Sequence, residues 1–175
     1  MNKILLATLG ASILILSANA MADGGQITFT GVVNEKTCTI DTASSNLTVL
    51  LPNVTTADFA GANSTANSTV HFSIKATGCD ADLTEAGVLF GLNQNVDMTT
   101  GNLKNTLQDG TNAQVRLFSK SGNTINLANF ADNIEYTAAS NNEVAMDFTA
   151  QYYTVDAIPT AGLLKTNIEY VVQYK

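Results

Sequence analysis

Alternation of apolar and polar residues is the feature of this sequence that most constrains its fold. It is clear over Thr69–Thr77, where Val70, Phe72 and Ile74 alternate with polar residues, and again over Glu143–Val155. A period of two places the apolar side chains of a strand on one face, which is typical of a half-buried β-strand. No stretch of the mature chain has sustained helical periodicity, and turn residues separate the alternating stretches. The sequence therefore predicts one all-β domain, a sandwich or a barrel.

Further strands are predicted between the turn signals. They are Glu35–Asp41, Asn46–Leu51, Gly87–Leu92, Ala113–Ser119, Thr124–Leu127 and Leu164–Tyr174. Residues 55–68 are expected to form a surface loop, and single helical turns are expected near residues 57–60 and 128–131. In the last predicted strand the alternation continues to Tyr174, although chain ends usually fray. This pattern favours a strand selected for pairing over an ordinary last strand of a closed sandwich.

The first 22 residues have the features of a secretory signal peptide. Lys3 precedes the apolar run Ile4–Leu16, and Ala20-Met21-Ala22 offers small residues for cleavage. The apolar run is too short to cross a bilayer as a helix. The mature chain is expected to begin at residue 23, or at residue 21 with the alternative cleavage, and its length corresponds to one domain.

Two cysteines, Cys38 and Cys79, are predicted to form a disulfide, because a cysteine pair in an exported protein usually does. A metal site would need more ligands, and the only histidine, His71, is predicted on the polar side of its strand. Asp80 and Asp82 lack the spacing of an EF-hand and indicate a solvated acidic turn.

Composition excludes other classes of function. The net charge of −7 argues against nucleic acid as a partner. The sequence contains no phosphate-binding loop, zinc motif or Gly-x-Ser-x-Gly elbow. We therefore expect a protein that is not an enzyme and that needs no cofactor.

The segment Asp23–Val33, DGGQITFTGVV, also alternates, with Gly25, Ile27, Phe29 and Gly31 on one face. Glycine weakens a strand and usually marks the close approach of another backbone. No Asn-Gly or Asp-Gly turn follows that would fold the segment back as a hairpin. Its strand partner must therefore lie elsewhere, in this chain or in another one.

In ordered features across the mature chain, the sequence resembles the pilin subunits of chaperone–usher fimbriae, close to the type 1 major subunits. These features are the signal peptide, the run Gly24–Val33, the two cysteines, Gly162 and the penultimate Tyr174. The resemblance implies an incomplete immunoglobulin-like β-sandwich, the pilin fold, completed by a donor strand from a neighbouring subunit. It implies a signal peptide over residues 1–22, a donor-strand extension over 23–33 and a pilin domain over 34–175.

The resemblance also implies roles for particular residues and partners. The donor-strand residues are expected to be Gly25, Ile27, Phe29 and Gly31. The groove edge and the chaperone-docking surface are expected to contain Gly162, Ile168, Tyr170, Val172 and Tyr174. The implied partners are identical or related pilins, a periplasmic chaperone and an outer-membrane usher. The implied route is export through the periplasm of a Gram-negative cell to a surface fimbria. Only two residues precede Gly25 after cleavage, which leaves the reach of the donor strand open.

Two functions remain open from the sequence. The first is a structural subunit of an adhesive fimbria that polymerises by donor-strand exchange. The second is a minor or tip subunit that binds a sugar or a host protein. Two-domain adhesins are about twice as long and lack a free donor extension, so the resemblance favours the first. The sequence does not specify a receptor, the helical geometry of the fibre, or the cognate chaperone and usher.

Overall fold

The computed structural model describes Val33, residues 37–129 and residues 134–175, and these residues form two antiparallel sheets. A four-residue helix, α1 (Thr42–Ser45), and a 3₁₀ turn, Thr56–Asp58, are the helical elements of this part of the chain. The strands are β1 (Thr39–Ile40), β2 (Ser64–Thr77), β3 (Glu85–Phe90), β4 (Gln114–Ser119), β5 (Thr124–Ile125), β6 (Tyr136–Ala138), β7 (Glu143–Thr154) and β8 (Tyr170–Tyr174). The predicted all-β class is confirmed.

The larger sheet has the order β1-β2-β7-β4-β5, and the smaller sheet has the order β6-β3-β8. The two long strands β2 and β7 form the centre of the larger sheet, paired from Thr77–Glu143 to Ser64–Thr154. Their register shifts between Thr65 and Thr69, which indicates a β-bulge in β2.

The core lies between the two sheets. Ile74 of β2, Met146 of β7 and Val88 of β3 are each at most 1% exposed and contribute apolar side chains from both layers. Val144, Phe148 and other members of the alternating sets of β2 and β7 are buried or half-buried. The inward faces predicted from the alternation of these two strands are therefore confirmed.

The predicted strand Asn46–Leu51 is wrong. Helix α1, which Asp41 caps by accepting a hydrogen bond from the Ala43 N–H at 2.8 Å, ends at Ser45 just before this segment, and residues 46–55 have no regular structure. The apolar run of residues 47–51 has the composition of a strand, but a strand also requires a ladder partner. No described strand pairs with this run, and Leu50 is largely exposed.

Several predicted boundaries also differ. Strand β2 begins at Ser64, inside the predicted loop. The bulge between Thr65 and Thr69 interrupts the alternation, so the sequence pattern did not reveal this first part of the strand. The last strand begins at Tyr170 instead of Leu164, since the preceding residues bond to a loop, for example Thr106 N–H to Lys165 O at 2.8 Å. Strand β6 was not expected. The 3₁₀ turn agrees with the helical turn predicted near residues 57–60, whereas the turn near 128–131 lies partly outside the described residues. None of the described helices is long and apolar enough to cross a membrane.

Candidate functional site

The outer edge of β8 borders no other strand in the described part of the chain. Gly91 N–H donates to Glu169 O at 2.7 Å, and Lys175 N–H donates to Glu85 O at 2.8 Å, so the odd-numbered residues of this segment bond to β3. In an antiparallel pair, alternate residues direct their backbone groups to opposite sides. The N–H and C=O groups of Tyr170, Val172 and Tyr174 therefore point away from β3. No described strand pairs with that edge.

The side chains beside this edge are apolar and only half-buried. On the β8 side they are Ile168, Tyr170, Val172 and Tyr174, and on the side of the larger sheet they are Cys38, Ile40, Val70 and Phe72. All of them pack against the core without being enclosed by it. We call the surface formed by these two sets the acceptor groove.

Two tyrosine hydroxyls connect the walls of the acceptor groove. Tyr170 donates to the carbonyl oxygen of Ser44 at 2.7 Å, and Tyr174 donates to that of Cys38 at 3.5 Å. Burial raises the pKa of Tyr170, and the neighbouring Tyr174 raises it further. Burial also raises the pKa of Tyr174. Both hydroxyls therefore stay protonated and able to donate at neutral pH.

A pocket of about 410 Å³ adjoins the acceptor groove at Val70. It is lined by Leu50, Leu51, Pro52, Asn53, Thr69 and Val70. A volume in this range, with a mostly apolar lining, suits the burial of an apolar side chain. The apolar run of residues 47–51, which forms no strand, thus contributes a wall.

The disulfide holds the Cys38 side of the groove in place. Cys38 and Cys79 are bonded, as predicted, and β1 pairs with the end of β2 through Thr39–Thr77. The carboxylate of Asp80 accepts a hydrogen bond from Thr37 N–H at 2.7 Å. This part of the wall is therefore fixed both covalently and by hydrogen bonds.

The comparisons with known proteins agree with this architecture. The family model described as fimbrial protein matches residues 27–175. The F17 fimbrial protein of Escherichia coli is 34% identical over 167 residues, which cover 91% of this chain and 92% of that protein. The chain belongs to the fimbrial protein family. Its fimbrial relatives include the major fimbrial subunit SMF-1 of Stenotrophomonas maltophilia, 32% identical over 91% of this chain and 96% of that protein. The minor fimbrial subunit HifD of Haemophilus influenzae is 33% identical over 91% of this chain and 78% of that protein.

A solved chaperone–usher pilus has the same fold. The match has a TM-score of 0.58 and 16% identity and covers 90% of this chain and all of that chain. The fold of this fimbrial chain is thus the incomplete sandwich of chaperone–usher pilins, as the resemblance implied.

The structure brings together some of the pilin site residues expected from the sequence. Tyr170, Val172 and Tyr174 lie along the open edge of β8, with Ile168 just before it. Gly162 lies apart from them, with its backbone against Gly110 and Thr111. The four donor-strand residues Gly25, Ile27, Phe29 and Gly31 lie outside the described residues.

Sequence reasoning missed most of the opposite wall. Ile40, Val70 and Phe72 were assigned to strands but not to the groove. Alternation places Val70 and Phe72 on an inner face, and it does not distinguish an enclosed inner residue from one that borders a groove. Elsewhere, His71 is exposed as predicted, and its Nδ1 lies 2.9 Å from Thr149 Oγ1. The described residues contain no group of three or more side chains suited to a metal ion.

Proposed function

We propose that this chain is a structural subunit of a surface fimbria and that it polymerises by donor-strand exchange. In this proposal, residues 23–33 of one subunit enter the acceptor groove of the next, with Gly25, Ile27, Phe29 and Gly31 facing inward. The observation that carries the proposal is the open edge of β8, bordered by half-buried apolar side chains on both walls.

The physical basis is β-augmentation, in which backbone hydrogen bonds supply affinity and alternate side chains set the register. The backbone groups of Tyr170, Val172 and Tyr174 that no described strand pairs form one side of the new ladder. Each net hydrogen bond contributes about 0.5–1.5 kcal/mol. Burying Ile27 and Phe29 contributes about 1.5–3 kcal/mol each. The glycines leave room where the two backbones approach each other closely.

The same groove needs an occupant before polymerisation. An open apolar groove with an unpaired strand edge favours aggregation in solution. We infer that a periplasmic chaperone covers Ile168, Tyr170, Val172 and Tyr174 during export. An outer-membrane usher then exchanges the chaperone for the donor segment of the next subunit. The resulting polymer lies outside the cell, where it serves adhesion as a scaffold and not as a catalyst.

A minor or tip subunit is the second candidate. Its support is that the chain is 33% identical to the minor subunit HifD and 32% identical to the major subunit SMF-1, so sequence identity does not favour the major role. The two candidates differ in the number of copies per fibre. Antibody labelling of isolated fibres is expected to decorate the whole length of the fibre for a shaft subunit. Labelling confined to fibre ends would assign the minor role instead.

Strand donation is tested by expressing the chain in the periplasm with and without residues 23–33. We expect the full chain to form multimers that persist on unheated denaturing gels and dissociate on heating. The shortened chain is expected to be an unstable monomer, and a synthetic peptide of residues 23–33 is expected to raise its thermal stability. A shortened chain that is already a stable monomer, indifferent to the peptide, would refute donor-strand exchange.

Two neighbouring valines of β8 provide a matched pair of variants. Val172 borders the groove, whereas Val171 is 57% exposed on the other face of the same strand. We expect Val172→Asp to abolish multimers and peptide binding, because it places a charge in the apolar groove. Val171→Asp introduces the same charge one residue away and is expected to retain both. Equal effects of the two variants would contradict the assigned groove.

A further inference from the structure

A polar site lies on the outer face of the larger sheet, away from the acceptor groove. Arg116 of β4 is directly opposite Gln151 of β7 in the ladder. Their neighbours Leu117 and Ala150 are buried in the core, so Arg116 and Gln151 face outward. Phe118, two residues from Arg116 along β4, is half-buried on the same outer face.

The guanidinium of Arg116 is held in one orientation. Its Nε donates to Oδ1 of Asn102 at 3.1 Å, and Asn102 is completely buried. The Nδ2 of Asn102 in turn donates to Oε1 of Gln114 at 3.1 Å. The Cζ atom of the guanidinium lies over the ring of Tyr153, 3.7 Å from its centroid, and Tyr153 is 5% exposed. Asn102 contacts the edge of the guanidinium and Tyr153 contacts its face, so the guanidinium is oriented before any ligand binds.

The remaining donors of this site have no partner among the described residues. Arg116 has five N–H donors, and among the described residues only the one on Nε has an acceptor. It forms no ion pair within the part of the chain that the structure describes, although the chain carries a net charge of −7. The side-chain amide of Gln151 likewise forms no hydrogen bond with a described residue. The nearby carboxylate of Asp97 is engaged by Thr99, Thr100 and Gln114.

We propose that Arg116, Gln151 and Phe118 form a binding site for an acidic saccharide that bears a carboxylate. The two Nη groups of a fixed guanidinium match the two oxygens of a carboxylate. The amide of Gln151 can both donate to and accept from sugar hydroxyls, and the ring of Phe118 offers an apolar surface for C–H groups. This function goes beyond polymerisation and uses the opposite face of the fold, so it does not depend on the acceptor groove.

The test uses immobilised polymers of the full chain, because repetition along a fibre strengthens a weak single site. The probes are albumin conjugates of equal valency that carry either glucuronate or neutral glucose. We expect the polymer to retain the glucuronate conjugate at least about tenfold better than the glucose conjugate. Equal retention of the two conjugates would overturn the proposal.

Four variants separate a built site from general charge attraction. Arg116→Gln is expected to reduce retention to the level of glucose, and Arg116→Lys to reduce it partly, since an ammonium cannot pair bidentately. Gln151→Ala is expected to weaken retention without removing the contacts to Asn102 or Tyr153, so it keeps the test valid if Arg116→Gln fails to fold. Lys75→Gln removes an exposed positive charge from the same face of β2 and is expected to change nothing. A loss for Lys75→Gln equal to that for Arg116→Gln would refute the site.

A competition experiment identifies the source of the carboxylate. Free glucuronate is expected to displace the conjugate at a concentration at which acetate has no effect. Equal displacement by acetate would refute the proposal that the ligand is a saccharide.

Polymer formation is measured on the same variants and is expected to be unchanged for Gln151→Ala and Lys75→Gln. Polymers of the unaltered chain that form normally but retain neither conjugate overturn this inference alone, whereas failure of donor-strand exchange overturns the proposed function.

Discussion

Phe148 is the side chain whose replacement tests the packing of the sandwich most directly. It lies on β7 and is 5% exposed. Its ring stacks on Phe72, with centroids 5.4 Å apart, and meets Phe90 edge to face, with centroids 5.2 Å apart. Phe90 belongs to the smaller sheet, and Phe72 borders the acceptor groove. Phe148 therefore connects the two sheets and supports one wall of the groove.

The expected cost of Phe148→Ala follows from these contacts. Truncating a buried phenylalanine typically costs about 3–5 kcal/mol. The two ring pairs add about 0.5–1.5 kcal/mol each. We therefore expect a loss of at least about 4 kcal/mol, a large share of the roughly 5–15 kcal/mol that stabilises a domain. Phe148→Leu keeps much of the volume and is expected to lose mainly the ring contacts, about 1–3 kcal/mol.

The assay is denaturant unfolding of the chain with its disulfide intact, at fixed concentrations of protein and donor peptide. Phe118→Ala is the control, because Phe118 is half-buried on the outer face and forms no ring pair with a described residue. Its expected cost is about 1 kcal/mol. A loss below about 2 kcal/mol for Phe148→Ala, or one no larger than that of the control, would refute the reasoning.

Three further predictions concern other parts of the fold. Because burial raises the pKa of Tyr170, unfolded tyrosine ionises first, so thermal stability is expected to fall as pH rises above about 10. Tyr170→Phe should flatten that fall, and an unchanged profile would contradict the assignment. Replacing Cys38 and Cys79 with alanine should cost about 4 kcal/mol in denaturant unfolding, since it releases a loop of about 40 residues; a loss under about 1 kcal/mol would count against this. Gly162→Ala should lower the melting temperature, because its Cβ would lie 2.8 Å from the carbonyl carbon of Gly110, and an unaltered melting temperature would show that the backbone yields there.

The sequence by itself determines the local features of this fold, such as which face of a strand is apolar. The inner faces of β2 and β7 follow from a period of two, because successive side chains of any strand point to opposite sides. The disulfide follows from a single cysteine pair in an exported chain. The alternation of the last residues likewise predicted that Tyr170, Val172 and Tyr174 share one face of a strand.

Only the tertiary structure decided which segments find partners. The run of residues 47–51 has the composition of a strand, yet it forms a wall of a pocket, because no described strand lies beside it as a ladder partner. Val70 and Phe72 share the inward face of β2 with Ile74, but only Ile74 is fully enclosed. Arg116, Asn102 and Tyr153 meet although they are far apart in sequence. Side-chain alternation is a property of one strand, whereas pairing, register and enclosure depend on residues that only the folded chain brings together.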